Sequence, residues 1–96
     1  MLDEELYRRW PEVAIVAADM QRIGKPEVAE KLVDAARGKL GASDIIGSVG
    51  IVLRNHAVLR EQLSEKAVFA WDIILIDISR AFSKSRFAQW LASLTN

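Results

Sequence analysis

The chain has 96 residues, 51% of them hydrophobic, and its 13 basic residues balance 13 acidic ones. That length suits one helical domain over 1–96, with a modest core and without a separate catalytic domain, and the neutral balance excludes a global positive field for gathering nucleic acid or anionic lipid. Cysteine is missing, which excludes a disulfide framework, a thiolate nucleophile and a Cys-based zinc site and fits a reducing cytoplasm.

The opening MLDEELYRRW is acidic first and lacks the basic-then-apolar order of a signal peptide. The first helical pattern runs from Asp3 to Ile23, with Asp3, Glu4 and Glu5 at the positive end of the helix dipole and Gly24 past the last turn. Pro11 removes a backbone donor inside it and predicts a kink or break. Leu2, Leu6, Trp10, Val13, Ala17 and Met20 keep a three-to-four spacing through the proline, so both pieces are expected to cover one core face.

A second helix is expected from Pro26 to just before Gly38, with Val28, Leu32 and Ala35 inward. In the connection GKLGAS, Ser43 reads as an N-cap and Asp44 as the first turn of a third helix. In that helix Ile45, Val49, Val52, His56, Leu59 and Leu63 form a packing seam, widened by Ile46, Gly50, Leu53 and Ala57. Gly47 and Gly50 each lower helix propensity by about 1 kcal/mol relative to Ala, which predicts the close approach of another helix.

The fourth helix should start near Ser64 or Glu65 and reach about Phe82. Within it, AVFAWDIILIDI (67–78) is apolar on two sides. Val68, Trp71, Leu75, Ile78 and Phe82 make one stripe, and Phe69, Ile73 and Ile76 make another about 140° away, with Asp72 and Asp77 between them. A surface helix needs one apolar stripe. A second stripe predicts a second cover, either another part of this chain or another subunit. SKSR at 83–86 either ends this helix, so that Phe87, Trp90, Leu91 and Leu94 fold back as a separate helix, or continues it and extends the second stripe.

The expected fold is therefore an all-α, compact bundle of four to five helices, with the third and fourth forming a central hairpin, and oligomeric. The longest uncharged run, Ile45 to Leu53, falls far short of the roughly 20 residues that span a bilayer, so no membrane span is expected.

His56, the lone histidine, sits in an aliphatic seam. Glu61 and Arg60 stand at poor helical offsets to orient it, so it reads as a packed or interfacial histidine, with a pH-sensitive contact as its functional alternative. One histidine, no cysteine and no E-x-x-H or H-E-x-x-H pair make no metal site. Asp72 and Asp77 point about 140° apart and make no dyad. Asp77 can pair with Arg80 or face solvent, and Asp72 can meet a cation such as Arg54 or Arg60 and set interface register, a solvated face being the preferred reading over an interchain salt bridge. No P-loop, dinucleotide glycine pattern or Ser-nucleophile elbow is present, so neither catalysis nor a cofactor is expected.

The residues expected at an interface are Phe69, Trp71, Asp72, Ile73, Ile76, Trp90 and Leu94, with the aromatics as anchors. The expected function is a non-enzymatic, self-associating protein–protein interaction module, such as a small regulator, adaptor or chaperone-like subunit. The alternative is a small DNA-binding regulator. Arg54, Arg60, Arg80, Lys84 and Arg86 supply its basic residues, and Pro26–Leu53 loosely imitates a helix-turn-helix, although its reading helix would begin IIGSVGIV, without base-reading side chains.

Overall fold

The computed structural model describes residues 4–38 and 45–81, which form helices and short turns without a strand among them. The elements are α1 (Glu4–Arg9), α2 (Pro11–Arg22), α3 (Pro26–Ala36), α4 (Ile45–Asn55), a 3-10 helix (Ala57–Gln62) and α5 (Glu65–Ala81). The all-α bundle expected from the periodicities is what forms, and the expected fourth helix starts at its expected residue.

The proline at position 11 makes a break. A residue before proline is pushed out of the α region, and Trp10 adopts φ −151°, ψ 79° between α1 and α2. Its N–H still donates to the Leu6 carbonyl and its own carbonyl accepts from Ala14, so the two helices stay coupled across the break. Leu6, Val13, Ala17 and Met20 are buried together, as their spacing implies, with Ala14 and Val16 added and Trp10 packed against them.

α2 ends in a full Schellman motif. Gly24 takes φ +81°, its N–H donates to the Gln21 carbonyl, and the Lys25 N–H reaches back to the Met20 carbonyl. Pro26 then opens α3, which buries Val28, Ala29, Leu32, Ala35 and Ala36. α4 packs chiefly on α3. Gly47, Ser48 and Gly50 are all buried, so α4 presents small residues to a bundle in which α3 is itself rich in buried alanine.

The seam expected to run as one helix from Ile45 to Leu63 is interrupted. α4 stops at Asn55, and the His56 N–H splits between the carbonyls of Val52 and Leu53 before the chain tightens into the 3-10 helix. Leu59 and Leu63 still reach the core, while His56 is half-buried and Ile45 is exposed. The three-residue step from His56 to Leu59 suits both an α-helix and a 3-10 turn, so spacing alone does not locate the change of pitch.

Ser64 caps α5: its Oγ accepts from the Ala67 N–H at 3.3 Å and its carbonyl from the Val68 N–H at 2.9 Å. α4 and α5, the expected hairpin, are in contact, but the broadest packing belongs to α2, which lies against α1, α3 and α5. The core is thus built around α2, with Val13, Val16 and Met20 fully buried.

Candidate interaction surface

α5 faces the core with Ala67, Ala70, Trp71, Ile74 and Ile78. At about 100° per residue these positions share an arc of about 100°. The first stripe read from the sequence was therefore rotated. Ile74, assigned to neither stripe, is fully buried at the centre of the inner face, whereas Leu75 is exposed and Val68 only half-buried. Ala67 and Ala70 share this buried face with Trp71, Ile74 and Ile78, so its centre lies between Ala67 and Ile74 rather than along the large apolar side chains alone.

Trp71 belongs to this inner face. It is 4% exposed and packed within the chain's own core, which corrects its expected place at an interface. Its large ring anchors the bundle instead.

The second stripe lies nearly opposite. Phe69 is 68% exposed, Ile76 48% exposed and Ile73 half-buried. Glu65 and Arg80, one turn beyond Phe69 and Ile76 respectively, complete this outer face at its two ends, and both are exposed. Beside it the carboxylate of Asp72 receives the Arg60 guanidinium, with Nη2 2.9 Å from each carboxylate oxygen. Asp72 thus finds one of its two expected cations inside the chain, and this pair ties the 3-10 helix to the flank of the outer face. Both side chains are well exposed, so the pair contributes below about 1 kcal/mol. Trp90 and Leu94, the remaining expected interface residues, lie outside the described residues, as do SKSR and the Ser43 cap.

Two hollows lie away from this face, neither lined by its residues. One, about 470 Å³, is lined by Leu6, Arg9, Trp10, Ala36, Ile45, Ile46 and Asp77. Asp77 therefore opens on a hollow shared with α1 rather than standing on the outer face. The other, about 380 Å³, holds Tyr7, Ile15, Ala18, Asp19, Arg22, Ser64 and Lys66. In it Asp19 accepts from Arg22 Nε at 2.7 Å and Nη2 at 3.1 Å, and from the Ser64 backbone N–H at 2.8 Å. The Arg22 hydrogen bonds, outweighing partial burial, hold the Asp19 carboxyl below its usual range. Sequence patterning missed this cluster: Asp19 and Arg22 are an i,i+3 pair on one helix, but Ser64, 45 residues from Asp19, is brought to them only by the fold.

His56 makes no side-chain bond to the turn it opens. Among the described residues no three His, Asp or Glu side chains converge on a metal-sized space, and no helix is long and apolar enough to cross a membrane. Comparison with family models, with curated proteins and with solved structures finds no match to this chain.

Proposed function

We propose that this chain is a non-enzymatic interaction module that associates with copies of itself through the outer face of α5. The observation that carries the reading is the exposure of Phe69 and Ile76 on a helix whose opposite face already fills the core. Burying such side chains on association is worth roughly 1.5 to 3 kcal/mol each relative to full exposure. Ordering costs reduce the net gain, so three apolar positions per copy suit a reversible contact rather than an obligate one. A cytoplasmic setting belongs to the same reading, supported by a composition without cysteine.

Light scattering over a dilution series tests it. The mass should rise from one chain towards two between low and high micromolar concentration. A single-chain mass at high micromolar concentration contradicts self-association.

A further inference from the structure

The outer face of α5 carries a pattern that selects how a second copy would lie on it. At helical spacing Glu65, Phe69, Asp72, Ile73, Ile76 and Arg80 fall within an arc of about 100°, along about 22 Å of helix. The midpoint of this row lies between Asp72 and Ile73. Phe69 and Ile76 are equidistant from it, and so are Glu65 and Arg80.

Two helices related by a two-fold axis through that midpoint, running antiparallel, place each residue opposite its equidistant counterpart. Phe69 then meets Ile76 of the second copy, and Glu65 meets Arg80 of the second copy, at both ends of the seam. A parallel arrangement stacks Glu65 on Glu65 and Arg80 on Arg80, a like-charge penalty at each end. Glu65 and Arg80 are exposed, and neither side chain has a partner among the described residues. The antiparallel axis also brings the two Asp72 carboxylates to one edge of the seam, where each is already held by its own Arg60. The device that would otherwise repel is neutralised within each chain.

We propose that the partner of this surface is a second copy of the chain, docked antiparallel across α5, with Phe69 packed on Ile76 and Glu65 paired with Arg80 in both directions. This rests on the self-association reading and adds its geometry.

Charge reversal tests the geometry by sedimentation equilibrium, with circular dichroism confirming that each variant is folded. Glu65→Arg and Arg80→Glu should each weaken the dimer by about tenfold, since each turns two attractive end pairs into two repulsive ones. The double variant should regain wild-type affinity within about threefold, and an equimolar mixture of the two single variants should form the heterodimer preferentially. A wild-type dimer indifferent to the single reversals, or a double variant as weak as either single one, overturns the antiparallel pairing while leaving self-association standing. A wild type that stays monomeric overturns both.

Discussion

The Ser64 backbone N–H donates to Asp19 Oδ2 at 2.8 Å, joining the first residue of the α5 cap to the last turn of α2. That N–H belongs to the residue that begins the helix, so the bond sets where α5 starts against α2. Arg22 holds the same carboxylate from its other side. The Asp19 side chain is 12% exposed, so its hydrogen bonds are only partly replaced by water when it is altered. Asp19→Ala should cost about 1 to 3 kcal/mol by urea unfolding, more than any other substitution of an acidic residue on the surface.

The same carboxyl has a pH signature. Its folded pKa is lowered, chiefly by the Arg22 hydrogen bonds, so its contribution is fully present above the unfolded carboxylate range, near pH 4, and is lost as pH falls through the lower folded value. Melting temperature should fall below about pH 4 in the wild type and fall less steeply in Asp19→Asn. Parallel acid profiles for the two proteins would contradict this role.

Gly24 makes a separate test of the backbone. A Cβ there meets nothing within 4 Å, yet φ is +81°, so the cost of a side chain is conformational alone. Gly24→Ala should destabilise by about 1 kcal/mol, and Gly24→Asn by less, because Asn tolerates the left-handed region better. Equal stability of Gly24→Ala and wild type in urea would show that the Schellman turn relaxes.

Helix existence, the break at Pro11, the start of α5 near Ser64 or Glu65 and the outer stripe were legible because each depends on local signals such as a missing amide or a recurrence of large apolar residues. What escaped depended on neighbours. The inner side of α5 includes Ala67 and Ala70 beside Trp71, Ile74 and Ile78, and a stripe drawn through the large apolar residues alone passes over the two alanines. The Asp19–Ser64 bond joins residues far apart in sequence, and the tightening at His56 leaves the three-to-four spacing unchanged.

His56 now stands where α4 gives way to the 3-10 helix, half-buried and with no bond from its ring to the turn. His56→Leu should leave melting temperature and subunit mass at neutral pH unchanged, the stability effect staying within about 0.5 kcal/mol. Loss of assembly in a folded His56→Leu would restore this residue to the interface.

The two-faced character of α5 is tested most directly by the same charge placed two residues apart. Sedimentation equilibrium and thermal melting of Ile74→Lys and Ile76→Lys, beside wild type, make the comparison. Ile74 is fully buried and Ile76 is 48% exposed, so a lysine at 74 puts an unpaired charge in the core, whereas one at 76 reaches water. Ile74→Lys should fail to fold, while Ile76→Lys should keep the wild-type helical signal, melt as a cooperative unit and sediment as a monomer where wild type is dimeric. An Ile76→Lys protein that unfolds like Ile74→Lys, or one that dimerises as wild type does, would contradict a helix with one face for the fold and one for a second copy.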